Sequence, residues 1–197
     1  MQNLPDDLPV VILGSKKHLL SKIFGDPSAP LSGWGVHCEV SAISTKEYHS
    51  YINERFSPLG LEISIEDTKF LQDLVQNIPE CVNIVCDKIM RQSNGPNNVT
   101  KENIMFAFKK VVDERRAVFE ERNSRFTEKE ETFLTVLAKM EPVKQPNGKS
   151  FLRRVNLSPG GNGPIISRLE NEAIIYKTVA GYVVNDPLYA EFLRIYR

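Results

Sequence analysis

The sequence predicts a mainly α-helical protein, and three observations carry that reading. Apolar residues recur at helical spacing behind repeated start signals, Ser44 with Glu47, Ser64 with Asp67 and Thr127 with Glu130. Breakers follow at the distances of ordinary helices: Pro58 and Gly60, Pro79, the loop from Asn94 to Asn97, and Pro142. Apolar runs with the character of strands are few and short.

The last third of the chain is the most informative. Thr127 to Glu130 form a capping box, and Phe133, Leu134 and Leu137 then share one face until Pro142 forbids continuation. A second helix runs from about Lys149 through Phe151, Leu152 and Val155. A turn from Asn156 to Gly163 leads into a third, with Pro164 near its first turn and Ile165, Ile166 and Leu169 facing inward. Ala173 to Lys177 and Gly181 to Val184 are apolar runs separated by Thr178, Val179 and Ala180, the spacing of a hairpin. Asp186 and Pro187 open a final helix carrying Leu188, Phe192 and Ile195. Three helices followed by a hairpin read as a winged helix-turn-helix over residues 122–197.

Residues 44–121 read as a small bundle. The first helix carries Tyr48, Tyr51, Ile52 and Phe56, the second Phe70, Leu71, Leu74, Val75 and Ile78, and the third, from Glu80 to Gln92, Val82, Val85, Cys86 and Ile89. Thr100 caps a fourth bearing Ile104, Phe108 and Val111, which is expected to run on to Arg122. Over that extension charge replaces apolar spacing, the pattern of a connector between domains or of a solvated helix end.

The start of the chain differs in kind. Val10, Val11, Ile12 and Leu13 read as a strand buried on both faces, as inside a parallel sheet, so the chain is expected to begin inside a domain. Of the 197 residues 41% are apolar and 25% charged, the balance of a globular protein. No apolar run approaches the roughly 20 residues that cross a bilayer, and no secretion signal is present, so the expectation is a cytoplasmic protein without a membrane partner. Three cysteines without paired spacing fit a reducing compartment. Net charge is zero overall, yet from Arg122 onward 12 Lys or Arg face 8 Asp or Glu, which places the positive excess on the winged helix.

The strand, then Gly14 to Leu20, Ile23 with Phe24, and Pro30 with Leu31 resemble the segment after the Walker B strand of prokaryotic AAA-type ATPases. The resemblance implies that residues 1–43 are the C-terminal remnant of an α/β ATPase core, with a helix from Lys16 to Phe24 and a second strand from Val36 to Val40. Residues 44–121 are then the helical lid, and 122–197 the winged helix that ends such proteins. It implies that Ser15 is the nucleotide-proximal, sensor-one-like residue, and that ATP and magnesium serve the intact relatives. The third lid helix of that family often begins Gly-x-Pro and brings a basic sensor two. Here Asn77 to Cys81 has neither the glycine nor an arginine.

Chemistry within the chain itself is sparse. A phosphate-binding loop ends in Lys and Ser or Thr, whereas Gly160 to Pro164 has no following lysine and reads as a turn. Without that loop or a second carboxylate-ended strand, no ATP hydrolysis and no cofactor are expected of this chain alone. Cys81 and Cys86 sit five apart on a helix and face different ways, and His37 and Cys38 alternate across a strand, so neither pair shares a metal. Cys86 reads as a small core residue and His18 as a surface one.

For nucleic acid, the third helix of the winged motif would enter a major groove. Arg168 is its only basic residue, with Asn162, Ser167 and Asn171 as further donors, while Lys149, Arg153, Arg154 and Lys177 are placed to meet phosphates. The favoured function is a C-terminal portion of an AAA-type ATPase acting through its lid and a winged helix that binds DNA or regulates the ATPase. The alternatives are a stand-alone DNA-binding regulator with the lid as dimerisation unit, and a protein-interaction adaptor. Candidate partners are duplex DNA, the missing ATPase core or another protein, and a second copy of the chain.

Overall fold

The structure, a computed structural model, describes residues 9–12, 23–36, 38, 40–95 and 97–197. Two compact units partition the chain, residues 1–41 and 42–197. Ser15, His18 and most of the expected helix from Lys16 to Phe24 lie outside the described residues.

In the first unit the described residues form a run of turns. The Phe24 carbonyl accepts from Gly33 N–H at 2.9 Å, and Asp26 accepts from the Ser28 N–H and hydroxyl at 2.9 and 2.7 Å. The two expected strands are corrected here. Among the described residues neither 10–12 nor 36–40 forms one, and Val11, Val36 and Val40 are 79%, 98% and 89% exposed. A strand buried on both faces needs paired neighbours at both edges, and no such neighbour is present among the described residues of this unit.

The second unit is mainly α, as the capping signals predict. Helix α1 (Thr45–Phe56) starts at the Ser44–Glu47 box and buries Tyr48, Ile52 and Phe56. After one 3-10 turn comes β1 (Leu61–Ile63), then α2 (Ile65–Leu74) behind Ser64, which accepts from Asp67 N–H. Gln76 and Asn77 turn the chain at φ 54° and 57°, and α3 (Pro79–Gln92) begins with proline at its first position, where no N–H is needed.

Strand β2 (Asn97–Val99) lies parallel to β1 in the register Leu61–Asn97, Glu62–Asn98, Ile63–Val99. This pairing has no sequence signature, because three residues are too few to show a period of two. The outer edge of β1 is closed by Asn53, which donates to the Ile63 carbonyl at 3.0 Å and accepts from its N–H at 2.9 Å.

Helix α4 (Lys101–Glu114) does not run on to Arg122 as expected. Arg115, at φ −93° and ψ 4°, breaks it, and a separate α5 spans Arg116–Asn123. The reason is burial. Phe119, 4% exposed, packs 5.7 and 5.5 Å from the rings of Tyr189 and Phe192, and Asn123 accepts from the Tyr189 hydroxyl at 2.7 Å. With Phe119 and Asn123 both buried, α5 is a core element.

Helices α6 (Glu128–Met140), α7 (Lys149–Val155) and α8 (Pro159–Asn171) form the helix-turn-helix, with Asn156 ending α7 at φ 53°. One boundary is corrected: Gly160 to Gly163 are helical. Ser158 accepts from Gly161 N–H, Pro159 takes the first helical position, and this pair begins the helix before the glycines are reached. Strands β3 (Ile175–Lys177) and β4 (Tyr182–Val184) pair antiparallel, and Val143 adds a bridge to Tyr182.

Helix α9 (Pro187–Tyr196) opens at Asp186, which accepts from the N–H groups of Leu188 and Tyr189. It buries Leu188, Tyr189, Phe192 and Leu193 against α4, α5 and α6, so one continuous core runs from Tyr48 to Leu193. The turn after α2 reaches the hairpin through Gln76, which donates to the Val184 carbonyl at 3.4 Å and accepts from the Tyr176 hydroxyl at 3.2 Å.

Candidate nucleic-acid interface

The surface to test is the one the winged helix presents around α8. Ile166 and Leu169 anchor this helix inward, and positions 160, 164, 167 and 171, at helical spacing, put Gly160, Pro164, Ser167 and Asn171 on its exposed face. That face is small and uncharged. Asn162, a candidate donor by sequence, is corrected: it is fully buried and donates to the Pro146 carbonyl at 2.9 Å and to Asn147 Oδ1 at 2.8 Å. Its work is to pin the α6–α7 loop to α8.

Arg168 is also engaged. It donates through Nη1 to the buried Glu130 carboxylate at 2.7 Å and through Nε to Glu172 at 2.9 Å. Burial pushes the Glu130 carboxyl up, but hydrogen bonds from the Thr127 backbone and side chain, with Arg168 beside it, outweigh this and hold it below the usual range. Because the folded value is lowered, the stability this group contributes is present above the ordinary glutamate range and lost as pH falls through the lowered one. Arg168→Ala is therefore expected to lower the melting temperature at neutral pH. The deficit should shrink once acid has neutralised Glu130, which thermal melts at the two pH values would check.

A different set of cations has no carboxylate. In and around the winged motif, Arg122, Arg125, Arg194 and Arg197 pair with Asp186, Glu121, Glu141 with Glu191, and Glu131 respectively. Arg153 and Arg154, both exposed in the last turn of α7, have no such partner among the described residues, and neither has Lys149 one turn earlier on the Arg153 face.

Gly148, which precedes Lys149, lines a groove of about 600 Å³ between α8 and the wing, together with Lys144, Asn147, Ser167, Glu170 and Lys177. Lys177 Nζ lies 5.7 Å above the Tyr182 ring. Lys144 was not a sequence candidate. It reaches the groove because Val143 pairs with Tyr182, a contact between residues far apart in the chain that no local pattern announces.

Of the sequence candidates, then, Lys177 lines the groove, Lys149 follows its lining residue Gly148, Arg153 and Arg154 are exposed on α7, Asn171 is on the open face of α8, and Arg168 is turned toward α6. Cys81 and Cys86 are buried, and burial pushes both thiols up to about 12, which makes them inert core residues. Among the described residues no group of three or more His, Cys, Asp or Glu side chains is placed to hold a metal ion, and no helix is long and apolar enough to cross a membrane.

Comparison with known proteins adds to this geometry. Residues 117–195 match the family described as probable winged helix domain. A Walker-type ATPase of Pyrococcus abyssi superposes with a TM-score of 0.58 at 18% identity, over 90% of this chain and 49% of that one. A mutant RuvB of Thermotoga maritima gives a TM-score of 0.31 at 14% identity, over 80% of this chain and 51% of that one. No curated protein sequence matches. The chain thus spans about half the length of the solved structures it matches. Residues 117–195 are a winged helix domain, and the chain that carries it resembles in fold part of a Walker-type ATPase, as the likeness to the C-terminal part of an AAA-type ATPase implied.

Proposed function

We propose that the winged helix binds duplex DNA chiefly through the phosphate backbone, as the DNA-contacting end of an AAA-type ATPase. The observation that carries this is the set of unpaired cations. Among the described residues Lys144, Lys149, Arg153, Arg154 and Lys177 have no carboxylate partner, although the other arginines of the motif do. An unpaired surface cation is fully available to a phosphate, whereas a paired one must first give up its partner. The neutral face of α8 supplies few groups for reading base edges, so the binding is expected to be weakly selective for sequence.

Five phosphate contacts give a slope of log affinity against log salt of about −4 to −5. Mobility shifts of the purified chain on a labelled duplex, from ~50 mM salt upward, measure it directly. No shift at the lowest salt would exclude the nucleic-acid role. It would leave a second reading, in which the uncharged face of α8 packs on protein, including the ATPase core itself. On either reading the chain acts by binding, since its sequence holds no phosphate loop with which to hydrolyse ATP.

A further inference from the structure

We propose that the wing ends in an apolar wedge, Val179, that seats at an unstacked base step, so that the winged helix prefers duplex DNA interrupted by an unpaired base over continuous duplex. This rests on the DNA-binding reading and names its substrate class.

Three features of the hairpin carry it. Val179 is 108% exposed, more than any other large apolar side chain among the described residues, and Ala180 beside it adds no polar group. The tip is nevertheless stiff. Thr178 Oγ1 accepts from the N–H groups of Ala180 and Gly181 at 3.1 Å each and donates to the Gly181 carbonyl at 2.8 Å. Gly181, at φ 143°, lies so close to the neighbouring chain that an added Cβ would fall 2.6 Å from Val143 C and 2.8 Å from Lys144 N, so the wing is braced at its base.

The surroundings fit a polyanion. No Asp or Glu occurs from Ala173 to Val184, and Lys177 and Lys144 line the groove beside the hairpin, where Glu170 is the one carboxylate among the described lining residues.

A wing that only tracked phosphates would gain from a cation at its end, and this one presents a β-branched hydrocarbon ahead of its single lysine, Lys177. Such a group gains nothing from phosphate or water. It is buried when slipped between bases, as apolar side chains are in proteins that kink DNA. Parting an intact step is costly, and the cost is least where a base is already unpaired, so a small wedge such as valine acts mainly there.

The test uses the full chain, a fluorescein-labelled duplex and the same duplex with one unpaired adenine, each with 2-aminopurine at the central step. Anisotropy should show about tenfold tighter binding to the interrupted duplex, with a rise in 2-aminopurine emission. Val179→Ser should bring the two affinities within about twofold of each other without changing the melting temperature, while Val179→Leu keeps the preference. Equal wild-type affinities, or a preference that survives Val179→Ser, would overturn the wedge while leaving phosphate binding intact. Absence of binding to either duplex at low salt would instead remove the DNA reading beneath it. In that case loss of capture of the ATPase core by Val179→Ser would assign the tip to a protein pocket.

Discussion

Phe192→Ala is expected to destabilise the protein by about 3–5 kcal/mol, the range for truncating a fully buried aromatic. Phe192 has no exposed surface and stands at the centre of a ring cluster, 5.5 Å from Phe119, 6.0 Å from Tyr189 and 5.5 Å from Tyr196. Its helix, α9, packs on α4 and α5 as well as on α6, so the void opens where the bundle and the winged motif share one core. The consequence is cooperative loss. Far-ultraviolet circular dichroism and hydrogen exchange should report a single transition lowered by about 10 °C, with amides of α4 and α6 losing protection together. Early exchange of the winged motif alone, with α4 still protected, would show that the two parts have separate cores.

Arg153→Ala with Arg154→Ala is expected to weaken binding to any duplex by roughly a hundredfold at low salt, as two charge-assisted phosphate contacts are lost. The salt slope should flatten by about 2, because two fewer counterions are released. Neither residue has a carboxylate partner among the described residues and both are exposed, so melting should be unchanged. That separates the pair from Arg168, whose replacement is expected to act on stability through Glu130. Fluorescence anisotropy across a salt series would settle it. An unchanged slope would mean that α7 faces away from the nucleic acid.

Much of the second unit is legible in the sequence because its signals are local. A serine or threonine three residues ahead of an acid, a proline at a first helical position and an asparagine past a last one each act within a single turn, and they mark the starts of α1, α2, α6 and α9 and the end of α7. What escaped was decided by distant partners. Arg115 breaks a helix because Phe119 has rings to meet on α9, and the β1–β2 pair joins residues on either side of two helices. Among the described residues of 10–13 and 36–40 no strand forms, for a related reason: apolar content invites a sheet only when neighbours supply edges.

The candidate surface divides in the same way. Residue type announced Lys149, Arg153, Arg154 and Lys177, but whether a cation is free or spoken for depends on carboxylates elsewhere in the fold. Glu130 claims Arg168 across 38 positions of sequence. The seat of Lys144 likewise follows from a bridge between the α6–α7 loop and β4.

The contact of Gln76 with both hairpin strands has a mechanical meaning. With α9 clamping one side of the winged motif and Gln76 the other, the bundle and the motif have no free hinge between them. Displacement of the turn after α2 would be felt first by Tyr176 and Val184, one in each strand of the hairpin. Gln76→Ala would cut that strut and leave α9 as the remaining clamp.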